Sequence, residues 1–257
     1  MTALPRVVSL VPSATESLLD LGLTPIACTR FCEQPTLAHI GGTKDPDIAA
    51  IVALKPDLVV LCEEENLLAH HQELVANGVS TFTFHIDRVE DVAPQLAILA
   101  ERLGLAYDPP SSSTSTSANT STSATTSTSA TTSGKDPGVR VRAFVPIWRR
   151  PLMTLSGGTY GSSLLASLGI GNVFSQAQTR YPEVTAEQIR AERPDVVLAP
   201  TEPYPFAQRH LAELSQEAAA PAVLVDGQDL FWWGTRTAAA QQRLAIALAD
   251  LFQLTQS

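Results

Sequence analysis

The apolar positions of this chain fall into short unbroken runs set between stretches of helical spacing. Residues 7–11 form the first such run, and Leu58-Val59-Val60-Leu61 is the next clear one. Val196-Val197-Leu198 and residues 222–225 repeat the type in the second half. Runs of leucine and β-branched residues without polar alternation predict strands covered on both faces, as in a parallel sheet flanked by helices. Elsewhere the spacing changes to steps of three and four. Val89, Val92, Leu96, Leu99 and Leu103 make one helical face, which predicts a helix over about 87–103. Pro94 should kink that helix or confine its regular part to the residues after it.

One unit is written twice. Residues 48–54 read as a helix and run into Lys55-Pro56-Asp57 and a strand; residues 186–192 run into Arg193-Pro194-Asp195 and a strand. In each copy the proline ends the helix, because it has no N–H to donate and restricts the residue before it. The basic residue sits where the helix dipole favours a cation. Asp47 is a candidate N-cap for the first copy, and Thr185 with Gln188 fits a capping box for the second. The repetition predicts two lobes of similar α/β build.

The remaining pattern fills in around these units. Pro12 to Glu16 reads as a turn, followed by a helix through Leu18, Leu19 and Leu21 that ends at Gly22. A strand over 25–28, a helix through Leu67, Leu68, His71, Leu74 and Val75, and a strand over 81–86 complete the first half. A strand over 139–147 restarts the pattern, and the helix after the Gly157, Gly158, Gly161 turn ends at Leu168-Gly169 as the earlier one ended at Leu21-Gly22. Residues 226–234 read as a loop, and the last helix uses Leu244, Leu248, Leu251 and Phe252 as its buried stripe. Between the halves, residues 111–133 are only Ser, Thr, Ala and one Asn. Such a segment lacks the apolar area to offset ordering entropy and is expected to be a disordered linker.

Composition narrows the function classes. A net charge of −9 argues against a polyanion such as nucleic acid as partner. No apolar run approaches the ~20 residues that a spanning helix needs. The N-terminus passes into its first strand without a charged region and a cleavable apolar segment, so the expected compartment is the cytoplasm; periplasm or cell surface is the alternative if the start site is misassigned. Cys28, Cys32 and Cys62 show no metal-ligand spacing, and their odd number supports no disulfide framework. Adjacent His70 and His71 diverge by about 100° on a helix, so no metal site is expected.

Ligands of α/β sheets collect at the carboxyl ends of the strands. The loops there carry Pro12 and Ser13, Arg30 and Phe31, residues 62–66, Trp148 to Arg150, residues 201–204, and residues 229–233. All three tryptophans, Trp148, Trp232 and Trp233, and the tyrosines Tyr160, Tyr181 and Tyr204 fall in the second half. Aromatics are only 6 % of the chain, so their concentration there suggests a cleft for a flat organic ligand. Arg30, Arg149 and Arg150 are candidates to contact ligand anions. No Gly-x-Ser-x-Gly elbow and no nucleotide-binding glycine fingerprint occurs, so catalysis has little support.

Arg6 to Glu16, residues 48–60 and the duplication resemble the cobalamin and iron-siderophore substrate-binding proteins of ABC importers. Ile147 to Met153, Arg180 to Val184, Thr201 to Phe206 and Val225 to Leu230 resemble the helical-backbone metal receptors among them, often labelled cobalamin-binding proteins. The resemblance implies an α/β fold of two Rossmann-like lobes joined by a connecting helix, with the ligand held between them. On that plan residues 1–86 are the N-terminal lobe, 87–107 the connecting helix, 108–138 the linker and 139–257 the C-terminal lobe. The implied ligand is cobalamin or an iron chelate, with no covalent cofactor, and the implied state is a monomer. Pro12, Ser13, Arg30, Phe31, Trp148, Arg149, Tyr160, Tyr181, Tyr204, Trp232 and Trp233 are then the candidate ligand contacts. If the protein is exported, an ABC permease is the implied partner, docked through Glu64 or Glu65 and through Glu202. A cytoplasmic enzyme acting on a nucleotide or tetrapyrrole metabolite, and a sensor or storage receptor outside transport, stay open as alternatives.

Overall fold

The computed structural model describes residues 4–109 and 138–251. The first lobe runs β1 (Val7–Ser9), α1 (Pro12–Asp20), β2 (Ala27–Cys28), β3 (Ala38–His39), α2 (Ile48–Ala53), β4 (Leu58–Cys62), α3 (Leu68–Ala76) and β5 (Thr81–Phe84). Helix α4 (Val89–Leu103) leads away from it. The second lobe begins with β6 (Val141–Phe144), β7 (Pro146–Arg149), β8 (Leu152–Thr154), α5 (Tyr160–Ser167) and β9 (Ile170–Asn172). It continues with α6 (Ala186–Glu192), β10 (Val196–Pro200), α7 (Gln208–Ala218), β11 (Ala222–Val225), α8 (Gly227–Phe231) and α9 (Thr237–Ala247). The sheet orders are β3-β2-β1-β4-β5 and β11-β10-β6-β9. Every pairing within these two sheets is parallel, as the unalternating runs predict.

The repeated unit folds the same way twice, down to single hydrogen bonds. Asp47 caps α2 by accepting from the Ala50 N–H at 2.9 Å, and Thr185 caps α6 through the reciprocal box with Gln188. Lys55 and Arg193 both take left-handed backbone, with φ of 49° and 50°. A side chain incurs steric strain there, so the chain turns sharply at both places against the preference of ordinary residues. Asp57 then accepts from the Arg6 N–H at 2.7 Å, and Asp195 accepts from the Arg142 N–H at 2.7 Å. In both lobes this aspartate ties the incoming strand to the start of the central one. Gly22 and Gly169, with φ of 82° and 78°, end α1 and α5 as the sequence indicates.

The core has three parts. Val8, Leu10, Ile51, Val59 and Leu74 fill one face of the first sheet, and Phe144, Ile189, Val197 and Leu214 fill one face of the second. The third part is shared. Val7, Leu18, Val60, Phe84, Leu96 and Leu99 join Val141, Leu164, Val196, Leu230 and Trp233 in one continuous cluster. The buried stripe of α4 (Val92, Leu96, Leu99, Leu103) is the predicted one, with Val89 at its margin. Pro94 lies exposed as the sixth residue of the helix, where it forgoes one intrahelical hydrogen bond without ending the helix. The lobes are therefore bonded by apolar area as well as by the chain.

Several expected elements differ. Pro12 to Glu16 is the first turn of α1, because proline at N1 lacks only an N–H that would be unpaired there anyway. Residues 139–147 divide into β6 and the β7–β8 hairpin, and residues 226–234 contain α8, capped by Asp226 accepting from the Asp229 N–H at 2.9 Å. In α3 only Leu74 of the proposed apolar stripe is buried, while Leu68 is 70 % exposed. The Ser/Thr tract 111–133 and Phe252 lie outside the described residues.

Candidate functional site

The carboxyl ends of both sheets point their loops toward one another, and polar contacts cross between the lobes at several points. Arg180, in the loop between β9 and α6, reaches Glu64 at 3.1 Å and Asp87, at the start of the connecting helix, at 2.6 Å. The Gln228 amide donates to Glu33 at 2.9 Å. Deeper in, the loop after α8 packs onto α1: Arg236 reaches Glu16 at 3.3 Å, and the Thr235 N–H donates to the Ser17 hydroxyl at 3.3 Å. Gly234 holds φ of 124° against Ser17 and Ser13, a fit that any side chain would spoil.

The first-lobe wall is acidic. Glu65 is half-buried, and its carboxyl is pushed up to about 8 by burial, then by Glu64, Cys32 and the facing Glu202. Burial also raises Glu202, while the Trp232 indole N–H, donated to its carboxylate, holds it down in part. Two carboxyls on opposite lobes thus share a desolvated space. Lys44 donates to the Glu64 carbonyl at 2.7 Å, and three arginines already hold acids. Arg30 pairs with Asp45 at 3.0 Å and lies over the Phe31 ring, Arg149 pairs with Glu213, and Arg236 pairs with Glu16 and Asp229 while stacking over Trp232.

The candidate residues divide accordingly. Phe31 is 50 % exposed, Trp148 is 44 % exposed, and Trp232 is half-buried beside Glu202. Trp148 lies on β7 and meets the Tyr204 ring edge-on at 5.6 Å, on the α7 side of the second sheet. Arg150 is exposed at the tip of the β7–β8 hairpin, and Tyr181 packs half-buried against the shared core. Three expectations change. Trp233 is only 4 % exposed and packs on Phe84 at 4.5 Å, so it joins the lobes as core. Tyr160 is buried at the start of α5, with its hydroxyl 3.1 Å from that of Thr237. Pro12 and Ser13 are buried in the first turn of α1, where the Ser13 carbonyl lies against Gly234. The proposed anion contacts Arg30 and Arg149 are engaged by Asp45 and Glu213. Glu64, offered as a docking charge, is engaged by Arg180.

Pattern reading missed Arg180, Arg236, Gln228 and Glu33. Each acts on a partner far along the chain, and no local spacing marks such a residue. A separate groove of about 1360 Å³ runs beside the edge strand β9, lined by Asp87, Arg142, Gly158, Asn172 and Glu192 among others. Its lining includes none of the exposed aromatics.

A sequence model of a periplasmic binding protein family matches residues 7–223. Over 200 residues the chain is 28 % identical to a vitamin B12-binding protein of Salmonella typhimurium strain LT2, covering 76 % of this chain and 72 % of that protein. The periplasmic vitamin B12 binding protein BtuF of Vibrio cholerae superposes with a TM-score of 0.70 at 17 % identity, covering 99 % and 98 % of the two chains. The periplasmic heme-binding protein RhuT from Roseiflexus sp. RS-1 gives 0.71 at 18 % identity, covering 97 % and 100 %. At that identity these superpositions establish the two-lobed fold. Among the described residues no helix is long and apolar enough to cross a membrane.

Proposed function

The chain belongs to the periplasmic binding protein family, and from that premise we propose that it is a non-enzymatic receptor for a corrinoid or related metal chelate held between its lobes. One observation carries the reading. Loops from the carboxyl ends of both sheets meet across the interlobe space, with Arg180 against Glu64, Gln228 against Glu33, and Trp232 half-buried beside Glu202. A space bounded by two lobes, an indole face and hydrogen-bonding groups suits a flat, polar-edged ligand. The named ligand of the B12-binding relative is of that kind.

The electrostatics favour a neutral, amide-edged ligand over a carboxylate-edged one. Arg30, Arg149, Arg180 and Arg236 already hold acids, so a ligand carboxylate meeting any of these four would have to displace Asp45, Glu213, Glu64 or Glu16, which leaves Lys44, on the Glu64 carbonyl, as the cation beside Glu65. Glu65, protonated to near pH 8, instead offers an O–H to a carbonyl. Titration with cyanocobalamin and with hemin, followed by tryptophan fluorescence and calorimetry, tests both points. Saturable quenching by the corrinoid, with weaker response to hemin, is expected. No binding of either ligand would refute the receptor reading, and tighter binding of hemin would refute its electrostatic part.

The compartment proposed is the periplasm. The solved relatives are named periplasmic, and the cytoplasmic expectation finds no support among them. An ABC permease is the partner that such a compartment would offer the protein. Glu64 would reach such a partner only after releasing Arg180. Fractionation of the native host with an antibody to this chain checks the compartment; recovery in the cytosol alone overturns it.

A further inference from the structure

The segment between α8 and α9 carries Trp232 and is tied to the first lobe by the residues that follow. The Trp232 N–H donates to the Gln228 carbonyl at 2.9 Å, and Trp233 turns into the core. Further on, the Thr235 N–H donates to the Ser17 hydroxyl at 3.3 Å, and the Thr235 hydroxyl donates to the Asp20 carboxylate at 2.5 Å. Both acceptors belong to α1. Arg236 comes next, and its guanidinium meets three groups at once. It donates to Glu16 of α1 at 3.3 Å and to Asp229 of α8 at 3.1 Å, while its central carbon lies over the Trp232 ring, 5.4 Å from the ring centre.

Asp229 is the anchor of this group. It is 5 % exposed and accepts two further bonds from Arg243 of α9, at 2.7 and 2.5 Å, so its carboxylate is held from both sides. The Arg236 side chain is 14 % exposed, and among the described residues its Nε has no hydrogen-bond partner. Burying a guanidinium is costly unless acids compensate it, so the two carboxylates and the indole offset that cost together. A planar guanidinium stacked on an indole occupies one face of the ring. Lysine in its place would keep the charge but lose the flat contact.

We propose that Arg236, set by Asp229 and Glu16, is a positioning residue for Trp232: it covers one face of the indole and fixes the ring, so that a ligand meets the opposite face. The part concerning the ligand rests on the receptor reading above; the covering and fixing of the ring do not. Glu16 belongs to the first lobe, so the attitude of this second-lobe aromatic depends on how α1 lies against the α8–α9 segment.

The full chain and its R236M, R236K and E16Q variants are compared, each also with Trp232→Phe, so that subtraction isolates the Trp232 emission from that of Trp148 and Trp233. Without ligand, acrylamide quenching of Trp232 should increase in R236M and R236K, and less in E16Q. The same changes should leave the emission of the Trp232→Phe series unaltered. R236K should keep more of the unfolding stability than R236M while sharing its increased quenching, a separation that a purely structural ion pair would not produce. With cyanocobalamin as the probe, Kd should rise about 2- to 5-fold in R236M, the size of a partly exposed cation–π contact, and the rise should vanish when Trp232 is already Phe. Trp232 quenching that is the same in wild type, R236M and R236K would overturn the assignment. So would an equal rise in Kd with and without the indole. If wild type binds no cyanocobalamin, the receptor reading fails, and the quenching without ligand still decides whether Arg236 positions the ring. Should R236M fail to fold, R236K and E16Q carry the same readouts.

Discussion

In the first lobe Asp57 ties the start of β4 to Arg6, just before β1, and in the second Asp195 ties the start of β10 to Arg142 of β6, each at 2.7 Å. The orders β2-β1-β4-β5 and β9-β6-β10-β11 correspond strand for strand. The loops that leave these matching frameworks do not correspond. The first lobe brings Glu33, Glu64 and Glu65 to these loops, whereas the second brings Arg180, Gln228 and Trp232, with Glu202 beside the indole. The framework repeats because backbone hydrogen bonding and burial constrain it. The tips differ because their partners belong to the opposite lobe, so complementarity across the cleft favours unlike walls.

The largest test separates adjacent tryptophans of the second lobe. Trp233→Ala, which removes the ring on Phe84, should cost about 3–5 kcal/mol in denaturant unfolding. Trp232→Ala should leave stability nearly unchanged and weaken ligand binding by about 0.5–1.5 kcal/mol beyond lost burial, read by calorimetry. The reverse pattern would move the interlobe core to the cleft. The next test asks whether the lobes are equivalent. Ile51 and Ile189 are fully buried at matching places in α2 and α6, so each change to Ala should cost about 2–5 kcal/mol. Through the shared core both variants should unfold in a single transition. A split transition in either would mean that the lobes unfold separately.

A third effect appears as a slope with pH. Glu65 has its folded value raised from 4.5 to about 8, so between those values the folded state binds more proton than the unfolded one. Its contribution is fully present below pH 4.5 and is lost as pH rises through about 8. Glu65→Gln should therefore raise the thermal midpoint at pH 9 relative to wild type more than it does at pH 5. An identical change at both pH values would place the carboxyl in water. The smallest effect is that of Arg180. Its pairs with Glu64 and Asp87 are about one-third exposed, so Arg180→Met should cost no more than ~1 kcal/mol. Its signature is a weaker dependence of ligand affinity on salt than in wild type.

Much of the fold was legible in the chain. The buried runs announced parallel strands, Asp47 and Thr185 announced their helices, and Gly22 and Gly169 announced the ends of α1 and α5. Arg6-Val7-Val8-Ser9-Leu10-Val11 and its companion motifs carried the family. Legibility fell where a residue answers to two constraints. Pro12 reads as a turn former, yet it opens α1, and the next residue, Ser13, lies against Gly234 of the other lobe. Trp232 and Trp233 are indistinguishable by type and place, and they part because alternate side chains along the segment face opposite ways, one toward Phe84 and one toward Glu202.

By itself the sequence determined what short-range physics decides: where helices start and stop, which runs are covered on both faces, and that one α-to-β unit is used twice. The tertiary structure alone decided which loops meet. Arg180 and Glu64 are 116 positions apart, and Gln228 and Glu33 are 195 apart. Neither periodicity nor propensity extends over such separations. The pairing of Arg30, Arg149 and Arg236 with acids, and with it the charge that a ligand encounters, exists only once the chain has folded back on itself.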